Sequence, residues 1–357
     1  PYSTGLTFPR FVDLSARDAN GQYVQQPDST VAVENPLFVV QTRDNFNERS
    51  RTQASGNLRF SPMNWLTFDT QLSYDRADGN DQSYTPKGVP TSVTQDIPSQ
   101  GILNLRSQRT DAYNGSIAAT ALRQFGQLGL RGTARASIER EFTETVEAEG
   151  RDFVVDGVRS LNAAATLQTI ESFAQDIRAN AYMVNVGADY QDRYVLDGLV
   201  RREGSSLFGP LNRWQTYYRG AVSYRISQEE WFNLPHVNEL VLRYSIGTAG
   251  GRPSFNQQYE LWNVSRTSGL SRNTAGNAQL KPHYTREQEF GITSIMFDSR
   301  LSVELVYAMQ LSRDQIIGLP VPTISASTAS SAMQVASRVT HTRPPSMHVW
   351  HPAMTGY

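Results

Sequence analysis

Few residues in this sequence have the types and spacings that catalysis or metal binding needs. Cysteine is absent, which excludes disulfides, thiol nucleophiles and cysteine-based zinc sites. Three of the five histidines, His341, His348 and His351, are spaced irregularly near the end, which favours incidental histidines over a metal site. Neither a Gly-x-Ser-x-Gly nucleophile elbow nor a Gly-x-x-x-x-Gly-Lys phosphate loop occurs. We therefore predict no catalytic residues, no metal and no cofactor.

A group of glutamates could in principle attract a calcium ion, whose sites use oxygen ligands. In the stretch from Glu141 to Glu144 the acids alternate with threonine, which suits the hydrated face of a strand better than a metal cage. A solvated strand and loop is the preferred interpretation of the group, which consists of Glu139, Glu141, Glu144, Glu147 and Glu149.

Charge and hydropathy exclude two further classes of protein. Lysine and arginine number 33 against 34 acidic residues, and no basic tract occurs, so a nucleic-acid partner is not expected. Unbroken apolar runs are no longer than five residues, as in Leu305 to Met309, and Leu37 to Val40 has four, whereas a membrane-spanning helix needs about 20. The chain begins at Pro1 without a signal-peptide pattern, and we interpret it as a mature protein or an excised piece.

Alternation of apolar and polar residues with a period of two is the dominant pattern. In Tyr182, Val184, Val186, Ala188 and Tyr190 the apolar positions alternate with polar or small ones, and similar series recur along the chain. Their length approaches the roughly 9–11 residues that a tilted transmembrane strand needs. About ten strands are predicted, at 52–60, 66–76, 111–122, 128–141, 173–189, 193–203, 214–226, 238–248, 286–297 and 300–313.

The connections between these strands alternate between short and long. An up-and-down meander with its two ends in different compartments has this asymmetry, as in outer-membrane barrels. The fold class predicted is therefore all-β, an antiparallel up-and-down transmembrane β-barrel. Three tryptophans fall at strand ends or in turns, where a membrane-interface girdle or a capped core would both place them: Trp65, Trp214 and Trp231.

Polar positions on the alternating strands supply candidates for a barrel lumen, although any hydrated wall would use the same residue types. The candidate lumen-facing residues are Asp69, Gln71, Asn185, Asp189, Arg243 and Glu304. In the long connections, Tyr84, Tyr259 and Trp262 could stack on sugars or peptides.

Several segments resemble one family. The stretch Gly204-Ser-Ser-Leu-Phe-Gly-Pro-Leu-Asn-Arg-Trp214, preceded by a strand from Arg193, is similar to a barrel hairpin of the SusC/RagA family of TonB-linked outer-membrane proteins. Leu242 to Gly250, and Leu280 to Ile292 with Arg300 to Tyr307, are also similar. Glu203 departs from the family, where aspartate is more usual before Gly-Ser-Ser, and so does Leu207, where a basic residue is common.

The resemblance implies a function and also shows what is missing. Family members carry a plug domain, a TonB box and a barrel of 22 strands, so residues 1–322 are interpreted as a partial barrel domain from within a transporter. The tail at 323–357 has no alternation and is interpreted as a non-family segment, disordered or misjoined. The implied activity is TonB-dependent import of oligosaccharides or peptides across the cell outer membrane, with TonB and a SusD-like lipoprotein as partners. The alternative is a soluble or cell-surface β-rich binding protein without transport, which would have strands of five or six residues and no loop asymmetry.

Overall fold

The chain is described here from a computed structural model, in which almost every regular element is a β-strand. The described residues are 12–28, 30, 33–90, 98–255, 257–265, 269–274, 277, 279–319, 331–335 and 339–350. The strands are β1 (Asp44–Met63), β2 (Leu66–Pro90), β3 (Pro98–Phe125), β4 (Leu128–Phe153), β5 (Ala164–Tyr190), β6 (Tyr194–Ser205), β7 (Trp214–Arg225), β8 (Val237–Gly251), β9 (Leu261–Ser265), β10 (Gly269–Thr274), β11 (His283–Met296), β12 (Leu301–Arg313), β13 (Gln315–Leu319), β14 (Ser331–Val335) and β15 (Val339–Trp350).

Eleven of these strands form one sheet in the order β1-β2-β3-β4-β5-β6-β7-β8-β11-β12-β15. The pairings among β5 to β8, β11, β12 and β15 are all antiparallel. Each strand therefore lies beside the next long strand in the chain, and the short hairpins β9–β10 and β13–β14 are inserted into two of the connections. The predicted antiparallel, all-β, up-and-down barrel fold is confirmed in partial form, because β1 and β15 end the sheet order without pairing with each other.

The first strands are much longer than their alternation predicts. Strand β2 continues to Pro90 and β3 begins at Pro98, although the sequence favoured a long loop over much of this region. Similarly, β4 continues to Phe153. Both faces of these extensions carry polar residues, so no two-residue period marks them; backbone pairing with neighbouring strands is sufficient to hold them extended.

The asymmetry of the connections persists in the structure. The short connections are 64–65, 126–127, 191–193 and 297–300, whereas 154–163, 206–213, 252–282 and 314–338 lie at the opposite ends of the strands. The connection at 226–236 is longer than the others on the short side. At 191–193 the hairpin is tight because Gln191 and Asp192 both adopt positive φ, as the turns that suit the twist of paired strands require.

Part of the tail that was predicted to lack strands forms them. Strand β15 pairs with β12, and the register shifts between Val306 and Ala308, opposite Pro344 and Pro345. Proline lacks a backbone donor and is tolerated at a bulge or on an edge strand, and β15 is the last strand of the sheet. The boundary at residue 322 itself remains a prediction.

Among the described residues there is one α-helix, the short α1 (Pro36–Thr42). Asn35 caps it: its side-chain oxygen accepts a hydrogen bond from the Leu37 amide at 3.0 Å, and its Nδ2 donates to the carbonyls of Leu14 and Val24. Within the described part of the chain, no helix has the length and hydropathy that crossing a membrane would demand.

Two compact units make up the chain. The first comprises Pro1–Ala54, Tyr74–Ala112 and Glu141–Asp176, and the second comprises Ser55–Ser73, Tyr113–Arg140 and Ile177–Tyr357. The first unit has a small apolar core in which Tyr84, Leu103 and Phe153 are fully buried. The second unit has most of its large apolar side chains on an exposed face of the sheet, which organises the site described next.

Candidate functional site

The sheet of the second unit has two chemically different faces. Along β6, Asp197, Arg201 and Glu203 point to one face, and Leu196 and Val200 point to the other. We call these the polar face and the apolar face. The cross-strand registers carry the same division from β5 through β12, since directly paired residues share a face.

Four of the predicted lumen residues share the polar face of this register. Asn185 and Asp189 lie on β5, Arg243 lies on β8 and Glu304 lies on β12. The registers place all four on the same face as Asp197 of β6. The Arg243 guanidinium forms an ion pair with Glu304 at 2.9 Å, so the structure brings these two together.

The other predicted lumen residues find separate partners. Asn185 donates to Asp197 Oδ2 at 2.9 Å, and Asp197 also binds Arg219. Asp189 accepts a hydrogen bond from the Asp192 amide at 2.9 Å and so stabilises the tight turn. Sequence spacing does not reveal the roles of Asp197 and Arg219, because their partners come from neighbouring strands.

On the earlier strands, Asp69 pairs with Arg59 Nε at 2.6 Å. Gln71 lines an open cavity of about 340 Å³, together with polar-face residues that include Arg135, Glu139 and Arg201. The six predicted residues thus lie on hydrogen-bonding or cavity-lining positions of the second unit, but they do not converge on one centre.

The most buried charge on the polar face is Glu203, whose side chain is only 9% exposed. Its carboxylate accepts hydrogen bonds from Arg252 Nε at 2.8 Å and forms an ion pair with Arg201 at 2.8 Å. Arg252 in turn contacts Glu139 at 2.8 Å. These four residues form a network of alternating charge that ties β4, β6 and the start of the connection after β8 to each other. The sequence identified Glu203 only as a departure from a family pattern.

The connection that follows Glu203 is folded tightly. Gly204 pairs with Trp214, and the indole lies so close that a Cβ at Gly204 would be 2.9 Å from it. The Ser206 oxygen accepts a hydrogen bond from the Arg178 amide at 2.9 Å, and Phe208 is 1% exposed. The Gly209 amide reaches the carbonyl of the fully buried Leu280 at 3.1 Å. The glycine, serine and phenylalanine of this segment therefore serve to build a fixed loop.

The first unit contains an open groove of about 940 Å³. Amide and charged side chains line it, including Asn45, Asn47 and Asn104. Two of its charged residues, Arg106 and Glu147, pair with each other at 3.1 Å. Such a lining can hydrogen-bond a polar ligand from several directions.

Tyr84, which was predicted as a stacking residue, is instead buried in the first unit. It contacts Phe153 edge to face, with ring centroids 5.8 Å apart, and its hydroxyl donates to Asp156 at 2.9 Å. This hydrogen bond, with another from the Lys87 amide, holds the pKa of Asp156 below its usual value. Tyr259 and Trp262 remain exposed.

The glutamates that could have attracted a cation instead contact arginines: Glu147 pairs with Arg106, and Glu149 with Arg151. The described residues contain no group of three or more potential metal ligands. His351 lies outside the described residues.

Residues 2–342 match the family described as "TonB dependent receptor-like, beta-barrel". The chain belongs to this family. The predicted membership of a TonB-linked receptor family is thus confirmed, and this is an outer-membrane family of receptors and transporters. The match also extends past the boundary predicted at residue 322.

Similar proteins include TonB-dependent receptors from Formosa agariphila. "TonB-dependent receptor P39" is 22% identical over 85% of this chain and 30% of its own length, and "TonB-dependent receptor P26" is 22% identical over 81% of this chain and 30% of its own length. The chain therefore spans about a third of the length of the curated relatives that it matches.

Solved structures share the fold. The RagAB peptide importer in the "closed-closed" state has a TM-score of 0.78 at 21% identity, covering 91% of this chain and 37% of that chain. The outer membrane transporter YddB from Escherichia coli has a TM-score of 0.57 at 12% identity, covering 82% of this chain and 38% of that one.

In a TonB-dependent receptor barrel, aromatic residues are expected at both membrane interfaces. On the apolar face at the short-connection end, the rings of Tyr190, Tyr194 and Tyr224 stack in a row, with centroids 6.5 and 4.9 Å apart. At the other end, Trp214 stacks on Tyr182 at 6.1 Å. Gly204 is the β6 residue paired with Trp214, and it lies ten residues beyond Tyr194. The two aromatic levels are therefore about 33 Å apart along the strand. For a strand tilted by about 40°, this distance corresponds to about 25 Å across a bilayer.

The three predicted girdle tryptophans divide between the two ends. Trp65 lies in a short connection, where the Arg123 guanidinium is 4.6 Å from its ring. Trp231 lies in the connection at 226–236 and is 69% exposed. Trp214 begins β7 at the opposite end of the strands. The sequence missed the tyrosine row, although Tyr190 and Tyr194 flank a turn and belong to the apolar alternation.

Proposed function

We propose that this chain forms part of the barrel wall of an outer-membrane, TonB-dependent uptake transporter that imports oligosaccharides or peptides. The observation that carries the proposal is the pairing of an exposed apolar face with an ion-paired polar face on the same strands. Transmembrane barrels alternate lipid-facing and lumen-facing residues in this way.

The apolar face supports a location in lipid. Val184, Val186, Leu196 and Val200 lie on neighbouring strands, and each is more than half exposed. A water-soluble protein seldom leaves a continuous apolar patch of this kind without a partner. The strands of the large sheet have 12 to 28 residues, rather than the five or six expected of a soluble β-rich binding protein.

The polar face supports a hydrated passage. Its charges are paired across strands, as in Arg243 with Glu304 and Arg59 with Asp69, and most of these side chains remain partly exposed. Mixed charges and amides can exchange hydrogen bonds with a polar cargo as it passes. Peptides are one candidate cargo because RagAB is a peptide importer, and oligosaccharides are the other class that the SusC resemblance implies. We propose no enzymatic role, because the family consists of receptors and transporters.

The proposed partners are TonB, which would energise transport, a SusD-like lipoprotein over the long connections, and outer-membrane lipid around the apolar face. The wall needs further strands to close, because β1 and β15 end the sheet order and a bilayer does not tolerate unpaired strand edges. We therefore propose that the chain works as part of a longer receptor that carries a plug.

Membrane fractionation of the receptor that carries this chain tests the proposal, with gel migration in SDS before and after heating. We expect recovery in the outer membrane and a heat-dependent change in mobility. Val186→Lys places a charge near the middle of the apolar face and is expected to cost about 2–4 kcal/mol of folding free energy. The matched control is Leu199→Lys, on the polar face of the adjacent strand, which should fold normally. A soluble product, or equal tolerance of the two lysines, would contradict the membrane assignment.

A further inference from the structure

Within the second unit, the charges on the apolar face of β5 to β12 have one sign. From residue 178 of β5 through β12, the registers place four arginines on this face and no lysine, aspartate or glutamate among the described residues. Three of them, Arg202, Arg286 and Arg313, lie toward the long-connection ends of their strands, and Arg178 lies near the middle of β5, level with that end of β6. The polar face of the same strands carries charges of both signs, so this separation is a property of one face.

Arg202 has no carboxylate partner among the described residues, and the same holds for Arg286 and Arg313. The Arg202 guanidinium instead lies 5.8 Å from the centre of the Trp214 ring. It is therefore level with the stacked pair of Trp214 and Tyr182 at the long-connection end. Eight residues separate it from Tyr194 in the opposite row, which is about 26 Å along the strand. In a bilayer, a long arginine side chain at this level extends its charge into the headgroup layer.

A shallow groove of about 530 Å³ lies beside Arg202 on the apolar face. Its lining includes the small side chains of Ala119, Ala134 and Ala136, together with Tyr182 and Val200. The alanines leave a depression because their larger neighbours on adjacent strands project further. The groove has the apolar lining that an acyl chain requires, and Arg202 lies at its edge.

We propose that this surface binds a phosphate-bearing anionic lipid of the leaflet at the long-connection end, with an acyl chain in the alanine groove and its phosphate at Arg202. Charge complementarity favours an anionic lipid over an apolar protein surface as the occupant. Arginines without a carboxylate partner at headgroup level attract a lipid phosphate, whereas an apolar protein surface has no charge to pair with them. Arg286 and Arg313 would extend the same attraction along the face toward β12. The inference rests on the proposed placement of the chain in a bilayer.

The test measures lipid retained by the detergent-purified receptor, using native mass spectrometry after titration with phosphatidylglycerol or phosphatidylcholine. We expect stronger retention of phosphatidylglycerol, and about a fivefold loss for each arginine removed from the face. The variants are Arg202→Gln and the triple Arg202→Gln, Arg286→Gln, Arg313→Gln. The matched control is Arg123→Gln, which removes an arginine that also contacts a tryptophan but lies at the short-connection end.

A second variant tests the groove without changing charge. Ala136→Phe fills the depression, and we expect it to lower the number of tightly retained phosphatidylglycerol molecules while the arginines stay in place. Equal retention of the two lipids, or equal losses for Arg202→Gln and Arg123→Gln, would overturn the inference. Outer-membrane recovery and the heat-dependent mobility shift are recorded for every variant. If these persist while lipid selectivity is absent, the lipid site fails and the transporter proposal stands; if they are absent in the unmodified receptor, the transporter proposal itself fails.

Discussion

Replacement of Glu203 by glutamine tests whether the charge network of the polar face fixes the loop that follows it. The change preserves the size of the side chain and removes its charge. Arg201 and Arg252 would then each lose a charged partner, and only Arg252 would keep Glu139. Because Glu203 is 9% exposed, water cannot fully replace the lost contacts on its side of the network.

The size of the effect follows from the geometry. Breaking a well-buried ion pair costs about 3–5 kcal/mol because a charge is left unpaired. The side chains of Arg201 and Arg252 are 39% and 32% exposed, so solvent compensates in part. We expect Glu203→Gln to lower the free energy of unfolding by about 2 kcal/mol, near the value of a single charged hydrogen bond. The matched change Glu304→Gln breaks the pair with Arg243, in which both side chains are at least 40% exposed, and should cost about 0–1 kcal/mol.

Urea unfolding of the purified receptor measures both variants, with the midpoint and slope read from the same titration. Hydrogen exchange provides the local measurement. Protection of the Ser206 and Gly209 amides should fall in Glu203→Gln only, since both donors belong to this loop and donate to the carbonyls of Arg178 and Leu280 outside it. Equal destabilisation by the two substitutions, or unchanged exchange in Glu203→Gln, would refute a special role for the buried network.

Two further predictions concern hydrogen bonds in which tyrosine hydroxyls take part. Tyr84→Phe removes one bond to Asp156 and another from the Gly157 amide, so we expect a loss of about 1–3 kcal/mol in urea unfolding; the exposed Tyr259→Phe is the control, and an equal effect of both would contradict the burial argument. The hydroxyl of Tyr194 holds the pKa of Glu229 below its usual value. A carboxyl with a depressed pKa stabilises the fold above its unfolded pKa of 4.5, and this contribution is lost as the pH falls through the folded pKa. Glu229→Gln should therefore weaken the acid dependence of thermal stability below pH 4.5, and an unchanged profile would show that this hydrogen bond is not maintained in solution.

Alternation was sufficient to place the strands that have one apolar and one polar face. Strand β6 was predicted at 193–203 and runs from Tyr194 to Ser205, and β12 was predicted at 300–313 and begins at Leu301. Where both faces are polar, as in the second half of β2, the period disappears and the strand could not be predicted. Strand β15 was missed for a related reason, because two prolines and its position at the end of the sheet remove the usual pattern.

For the candidate site, the sequence predicted which positions are polar and on which face they lie, but not which charges meet. Asp197, Arg219 and Arg252 escaped prediction because each has its partner on another strand or connection, and single-sequence periodicity contains no information on register. Tyr84 was misinterpreted for a different reason: an aromatic residue in a predicted loop suggests an exposed stacking surface, whereas the longer strands bury it against Phe153.

The segment from Glu203 to Trp214 shows why a short motif can predict a fold when it predicts no chemistry. Glu203 faces the polar side and holds two arginines, whereas Gly204, one position later, faces the apolar side and accommodates the Trp214 ring. A side chain at Gly204 would displace that ring from the row it forms with Tyr182 and the Arg202 guanidinium. Both faces of the wall therefore constrain adjacent residues, one through charge pairing and the other through the interface with lipid. A barrel that must satisfy both conditions at the same strand end leaves little freedom in sequence there, and this restriction explains why the segment is specific to the fold.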